Sequence, residues 1–122
     1  MTEEKMPQQI QDQISRLQQL QSQLQMLQQQ RYQVETRLKE IDEALEELEK
    51  ATEKTPIYKS VGSILIKSDG KDSVVTDLKT NKESLDLRVS TLNKQEGRTR
   101  EKLTELQSKV QNYLKIQGEG NS

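Results

Sequence analysis

The segment that decides the fold is Ile57-Tyr58-Lys59-Ser60-Val61-Gly62-Ser63-Ile64-Leu65-Ile66-Lys67. It is rich in β-branched, aliphatic and aromatic residues, whereas both flanks are rich in Gln, Glu, Lys and Leu. This composition predicts a short β-hairpin over residues 56–68, with strands Ile57–Val61 and Ser63–Lys67 and Gly62 at the bend. We expect Asp69 or Asp72 to cap the helix that follows.

An isolated two-stranded hairpin is marginally stable in water and leaves both of its edges unpaired. The run Ile64-Leu65-Ile66 places apolar side chains on both faces. We therefore expect the hairpin to pair with strands of other chains. The alternative is a plain connector between helices, which needs far fewer residues. The residues expected to form the assembly contact are Ile57, Tyr58, Val61, Gly62, Ile64, Leu65 and Ile66.

The two flanks predict helices over residues 7–53 and 72–117, the second ending at Gly118 as its C′ residue. Apolar residues recur at alternating spacings of three and four, which is typical of a coiled-coil seam. The first seam consists of Ile10, Gln13, Leu17, Leu20, Leu24, Leu27, Arg31, Val34, Leu38, Ile41, Leu45 and Leu48. The second consists of Val75, Leu78, Lys82, Leu85, Val89, Leu92, Glu96, Thr99, Leu103, Leu106, Val110 and Tyr113.

The two seams match in length, and antiparallel pairing brings together positions whose residue numbers add up to 123. We predict one subunit, residues 1–122, that is mostly α: a long antiparallel two-helix coiled-coil hairpin with the short β-hairpin between its helices. Arg31 and Glu96 are polar exceptions one layer apart. Either they pair and fix the register, or both side chains reach out to water.

The composition excludes several classes of chemistry. The chain has no His and no Cys, so it lacks thiol nucleophiles, histidine bases and the usual zinc ligands. No phosphate-binding loop occurs, and no apolar run approaches the length of a membrane span. Met1-Thr2-Glu3-Glu4-Lys5 does not have the pattern of a signal peptide. We expect a soluble cytoplasmic protein that is not an enzyme and needs no cofactor or metal.

The layout resembles the prefoldin family, and within it the β class of the archaeal type. The segment 57–67 is similar to the family's Tyr-Lys-x-x-Gly-x-aliphatic-aliphatic-aliphatic-Lys signature, and one hairpin per chain is similar to the β class. The resemblance implies a hexamer of two α and four β subunits whose hairpins join in a β-barrel. It also implies that non-native proteins are captured between the coiled-coil tips without ATP and delivered to a group II chaperonin.

Apolar residues outside the seam gather toward the free ends of both helices. Exposed apolar patches on soluble proteins mark interaction sites, and flexible side chains such as Met suit sequence-tolerant binding. Alternatively, Ile14 and Leu114 broaden the seam and bury each other. We expect these ends to contact non-native proteins, the clients of the chaperone. The residues expected to contact clients include seam residues at the same ends and are Met6, Ile10, Ile14, Leu17, Val110, Tyr113, Leu114 and Ile116.

Two other functions compete with a chaperone subunit. A structural coiled coil that tethers two partners would not need open β edges at its bend. A nucleic-acid factor would use the basic residues Lys94, Arg98, Arg100 and Lys102, but Glu96 interrupts them and the balanced net charge of −1 argues against nucleic acid. We therefore expect neither nucleic acid nor a membrane as a partner.

Overall fold

The structure is a computed structural model that describes residues 6–120. The elements follow the order α1 (Gln8–Glu49), β1 (Tyr58–Val61), β2 (Ile64–Lys67) and α2 (Lys71–Gly120). The predicted fold class, two long helices around a two-stranded antiparallel hairpin, is confirmed.

The first helix is shorter than predicted at its C-terminal end. It begins after Pro7, whose carbonyl accepts hydrogen bonds from the N–H groups of Ile10 and Gln11 at 3.0 and 3.1 Å. It ends at Glu49 rather than at residue 53. Beyond it, the Thr55 hydroxyl accepts a hydrogen bond from the Thr52 N–H at 3.0 Å, while the Thr55 N–H donates to the Thr52 carbonyl at 3.1 Å. Such local hydroxyl bonds give the backbone an alternative to the helix.

The second helix differs from the prediction at both ends. The Gly70 carbonyl accepts the first helical hydrogen bond, from the Val74 N–H at 3.2 Å. Gly70, and neither Asp69 nor Asp72, therefore occupies the N-cap position, and Asp72 lies in the first turn, where its charge complements the helix dipole. The helix continues through Gly118 to Gly120. Gly118 does not adopt the positive φ of a C′ residue.

The hairpin is closed by a two-residue turn. Val61 and Ile64 are opposite partners, so Gly62 and Ser63 form the turn. Gly62 has a φ of 61°, while no residue other than glycine in the described chain has a positive φ. A positive φ at the first central position alone is the type II′ turn, which places glycine there and matches the twist of the strands. Each strand begins one residue later than predicted.

The predicted seams are confirmed by burial. All twenty-four seam positions are at least partly buried, whereas most of the other helical positions are exposed. Four seam residues, Leu20, Ile41, Leu92 and Val110, are buried apolar residues, and Ile41 is the most buried, at 1% exposure. The hydrophobic periodicity therefore identifies which side chains fill the space between the helices.

The chain forms two compact units. The hairpin unit comprises Arg31–Thr91, and the terminal unit comprises Met1–Gln30 with Leu92–Ser122. In the hairpin unit, Lys82 Nζ donates to Asp42 Oδ1 at 2.6 Å and Lys71 Nζ donates to the Ala51 carbonyl at 2.9 Å. Both contacts agree with the predicted antiparallel register.

The terminal unit has the same register. Leu20 on α1 and Leu106 on α2 line one small hollow of about 190 Å³, together with Arg16 and Lys102. Leu20 and Leu106 lie within a helical turn of the predicted pairing. The two helices of the terminal unit are therefore antiparallel.

The polar seam residues are accommodated differently in the two units. In the hairpin unit, Arg31 Nη1 forms an ion pair with Glu35 Oε1 at 3.1 Å, one turn along the same helix. In the terminal unit, Glu96 is only 4% exposed. The interpretation that both side chains reach out to water is therefore wrong for Glu96.

Candidate functional site

The hairpin carries a continuous apolar surface that the folded chain leaves uncovered. All eight strand residues are exposed, and the five large apolar ones among them are each 50–70% exposed. Patches of this kind on a soluble protein mark interaction sites. Of the predicted assembly residues, only Ile57 and the turn residue Gly62 lie outside this group, and Ile57 is half-buried. The five are Tyr58, Val61, Ile64, Leu65 and Ile66.

Both faces of the hairpin contribute to this surface. Val61 is opposite Ile64, so these two side chains share a face, and Ile66 lies on it two residues further along. Tyr58 and Leu65 lie on the other face. Because neither face is wholly polar, the hairpin cannot place one face on a core and the other in water as ordinary antiparallel sheets do.

The two edges of the hairpin also carry free backbone groups. The Ser68 N–H donates to the Ile57 carbonyl at 2.8 Å, which makes these two residues a hydrogen-bonded pair. Hydrogen-bonded and non-hydrogen-bonded pairs alternate along an antiparallel ladder. It follows that the N–H and C=O groups of Ser60 on β1 and of Leu65 on β2 point away from the partner strand, and both edges can accept a further strand.

Polar contacts hold the hairpin against the helices of its unit. Lys59 Nζ donates to Asp77 Oδ2 on α2 at 3.0 Å. The Ser68 hydroxyl donates to the Ile57 carbonyl at 2.7 Å, which closes the base of the hairpin. The first contact joins β1 to α2, and the second joins the two ends of the hairpin.

A groove of about 780 Å³ lies between the hairpin and the two helices of the hairpin unit. Its apolar lining comes from both helices and from β1. The sequence did not predict it, because the groove depends on the angle between hairpin and helices, which no residue pattern encodes. The signal available was Ala44, a small, partly buried residue next to the seam that leaves space beneath β1.

The predicted client residues all belong to the terminal unit, but they differ in accessibility. Met6, Leu114 and Ile116 are 38%, 49% and 66% exposed. Val110 is buried, at 7% exposure, and belongs to the core of the terminal unit. Ile10, Ile14, Leu17 and Tyr113 are partly buried. Three of the eight predicted residues are thus exposed in this chain, and client binding by any of the eight stays a prediction.

Three exposed apolar residues lie outside the predicted client and assembly sets. Met26 on α1 is 59% exposed and lies in the terminal unit. Tyr32 on α1 is 70% exposed and Leu87 on α2 is 72% exposed, and both lie in the hairpin unit. Their positions outside the seam were visible in the sequence, but single exposed apolar residues are normal on protein surfaces. Tyr32 and Leu87 serve below as matched controls.

Among residues 6–120, no group of three or more Asp, Glu, His or Cys side chains could hold a metal ion. Neither described helix has a stretch long and apolar enough to cross a membrane. The features that stand out among the described residues are the apolar surface of the hairpin and the exposed apolar side chains of the terminal unit.

Comparison with known proteins identifies the family to which this chain belongs. The sequence profile described as "Prefoldin subunit" matches residues 11–117, which is most of the chain. The chain belongs to the prefoldin family. A prefoldin subunit beta from Archaeoglobus fulgidus is 45% identical over 113 residues, which cover 93% of this chain and 97% of the relative. One from Saccharolobus islandicus is 42% identical over 111 residues, covering 91% and 87%.

A solved structure agrees with the prefoldin assignment. The crystal structure of the prefoldin beta subunit from Thermococcus strain KS-1 superposes with a TM-score of 0.80 at 36% identity, covering 92% of this chain and 97% of that one. The resemblance to the β class of prefoldin is thereby confirmed. Family membership implies a chaperone-type function and assembly with other prefoldin subunits.

Proposed function

We propose that this prefoldin-family chain is a subunit of an ATP-independent molecular chaperone. It captures non-native proteins at the ends of its coiled coil and delivers them to a group II chaperonin in the cytoplasm. Its partners are an α subunit and further β subunits in a hexamer of two α and four β chains. Its own contribution is binding, with no covalent chemistry.

The observation that carries client capture is the exposure of Met6, Leu114 and Ile116 in the terminal unit. These side chains are flexible and apolar, and their neighbours along the helices are mostly Gln, Lys and Asn. Flexible apolar groups on a polar background can accept many different unfolded sequences. A shaped, specific pocket is not required for that task.

The exposed hairpin supports the assembly half of the proposal. Its apolar faces and open edges need partner strands, and a closed barrel of strands removes every edge. A barrel built from the hairpins of several chains would also bring several coiled coils to one client. Many weak contacts made together then add up to firm binding through effective concentration.

A double variant, Leu114→Gln with Ile116→Gln, tests client capture in the assembled complex. Burying one Leu or Ile side chain contributes about 1.5–3 kcal/mol, so losing two from each arm should weaken client binding by more than about tenfold. The measurement is light scattering from a chemically unfolded protein diluted into buffer without nucleotide. Protection should be largely lost, while sedimentation shows the same complex.

The matched control combines Tyr32→Gln with Leu87→Gln, which removes two apolar side chains, at least as exposed, from the hairpin unit. It should leave protection intact. Equal loss of protection in the control would show that clients bind along the helices and not at the ends. Full protection by the double variant would contradict capture by this cluster, and a requirement for ATP would contradict the mechanism.

A further inference from the structure

A small hollow between the helices of the terminal unit is bordered mainly by positive charges. Its volume is about 190 Å³, and its apolar lining is Leu20 and Leu106. One carboxylate, that of Glu105, borders the hollow together with three cations, so the lining has a net charge of +2. The three cations, called the basic flank here, are all exposed; they are Arg16 on α1 and Lys102 and Lys109 on α2.

The charges of the basic flank are not neutralised within the described part of the chain. In a coiled coil, charges that flank the seam usually pair with opposite charges on the other helix. Among residues 6–120, no ion pair includes a member of the basic flank or Glu105. Arg16 Nη1 donates to an uncharged acceptor, Gln19 Oε1, at 3.4 Å. The first helix also has no acidic residue between Asp12 and Glu35. The basic flank is therefore available to carboxylates of another polypeptide.

The basic flank leads directly to the apolar end that is proposed to hold clients. Lys102, Lys109 and Ile116 are spaced by seven residues, or about two helical turns, so they lie on the same side of α2 at intervals of about 10 Å. Ile116 is 66% exposed. An extended segment advances about 3.3 Å per residue. A segment laid along this side of α2 therefore reaches the first cation about three residues after it has met Ile116.

The occupant that fits this surface is an unfolded segment with apolar and acidic side chains. An apolar residue would cover Ile116, and a carboxylate about three residues away would pair with Lys109. We propose that the basic flank selects clients by charge, so that acidic unfolded segments are held more firmly than basic ones. The inference rests on the proposed function, capture of clients by the terminal unit, and adds the chemical class of client that is preferred.

A single-stranded nucleic acid is also negatively charged, but the terminal unit fits it less well. Such strands are held by stacking of their bases on aromatic side chains, together with a basic groove. The terminal unit has one aromatic residue, Tyr113, which lies in the seam and is partly buried. The exposed Ile116 beside the cations favours a polypeptide instead.

Three labelled peptides test the charge preference in the assembled complex. Each is a flexible chain of Ser, Gly and Leu that carries Glu, Gln or Lys about three residues from each Leu. Fluorescence anisotropy at low ionic strength measures their affinities. The Glu peptide should bind about three- to tenfold more tightly than the Gln peptide, as expected for a few exposed ion pairs, and the Lys peptide should bind most weakly. Equal affinities would overturn the proposal, as would a difference that high salt does not reduce.

Charge reversal links the preference to the basic flank. Lys102→Glu with Lys109→Glu should invert the order, so that the Lys peptide binds most tightly. The matched control is Lys94→Glu with Arg100→Glu, which changes the net charge of the terminal unit equally at exposed residues that do not line the hollow. The control should keep the wild-type order. The same inversion in both variants would overturn the proposal, because net charge and not the basic flank would then be the cause.

Circular dichroism and sedimentation accompany both charge-reversal variants. Because all four substituted side chains are exposed, helix content and the size of the complex should match those of the wild type. A smaller complex in the Lys102 and Lys109 variant alone would make the basic flank a contact between subunits and would overturn the proposal. Tighter binding of single-stranded oligodeoxythymidine than of the Glu peptide, with displacement of that peptide, would also overturn it.

Light scattering from a chemically unfolded protein separates this inference from the proposed function. Protection of that protein by a wild-type complex that shows no charge preference would overturn the inference and leave the chaperone function standing. No protection by a wild-type complex that still prefers the Glu peptide would contradict the chaperone function and support the basic flank as a peptide-binding site.

Discussion

Lys82, a polar residue in the seam of the hairpin unit, forms an ion pair with Asp42 on the other helix. Lys82 takes a seam position where an apolar residue is usual, and its ammonium group donates to Asp42 at 2.6 Å. This hydrogen bond, followed by the attraction of the same carboxylate, raises the pKa of Lys82 above its ordinary value of 10.5. The pair is solvent-exposed, so salt should weaken it.

We predict that Asp42→Asn lowers thermal stability at neutral pH and low salt. Because the folded state raises the pKa of Lys82, the stabilisation is complete below about 10.5, the unfolded value, and is lost as pH rises through the folded value. The melting-temperature difference between wild type and variant should therefore shrink above that pH and in high salt. A difference that persists at high pH would show that the charge pair is not its cause.

Gly97 is a position where glycine lowers the stability of the helix and no packing contact requires it. It lies inside α2, and a Cβ built on it would meet no atom within 4 Å. Glycine in a helix interior costs about 1 kcal/mol relative to alanine. We predict that Gly97→Ala raises the stability to chemical denaturation by about 1 kcal/mol. Loss of stability would mean that another chain approaches the helix at this point.

At the scale of the elements, the seam carries the stability of both helices. Ile41 is 1% exposed, whereas Leu87 on the opposite helix is 72% exposed. Truncating a buried Ile leaves a cavity, so we predict that Ile41→Ala costs about 2–5 kcal/mol. Leu87→Ala should change stability by less than about 0.5 kcal/mol, as exposed substitutions usually do. Urea unfolding followed by circular dichroism measures both, and equal effects would contradict the seam assignment.

The helices and the hairpin could be predicted from the sequence because each depends on a local period. Alternating spacings of three and four identified every seam residue, including the buried Thr99 and Glu96. Residue types alone identified the β-hairpin and the position of its turn at Gly62.

Other features could not be predicted, because they depend on competition between near-equal local bonds or on packing angles. The end of α1 at Glu49 reflects hydroxyl bonds between Thr52 and Thr55 that compete with another helical turn. Val110 is buried whereas Tyr113 on the same seam is only partly buried, and this difference, like the groove beside β1, depends on how closely the elements approach. Sequence periodicity identifies a buried face but does not give the depth of each residue in it.

At the scale of the whole molecule, the hairpin contributes little to the stability of a single chain, and we expect it to hold several chains together. Ile64 and Ile66 are 62% and 50% exposed, so the folded chain gains little from them. We predict that Ile64→Asp with Ile66→Asp leaves helix content and melting nearly unchanged but abolishes oligomer formation, because unpaired carboxylates would be buried between chains. Sedimentation measures the oligomer. An assembly of unchanged size would rule out the hairpins as the joint.

The antiparallel register also has a kinetic consequence. Within the hairpin unit, Lys71 and Ala51 meet across a separation of 20 residues, and Lys82 and Asp42 across 40. In the terminal unit, Leu20 and Leu106 are more than twice as far apart along the chain as the second of these pairs. Closing a longer loop costs more entropy. Folding should therefore start beside the β-hairpin and proceed layer by layer, so that the residues proposed to hold unfolded proteins are the last to find their own partners.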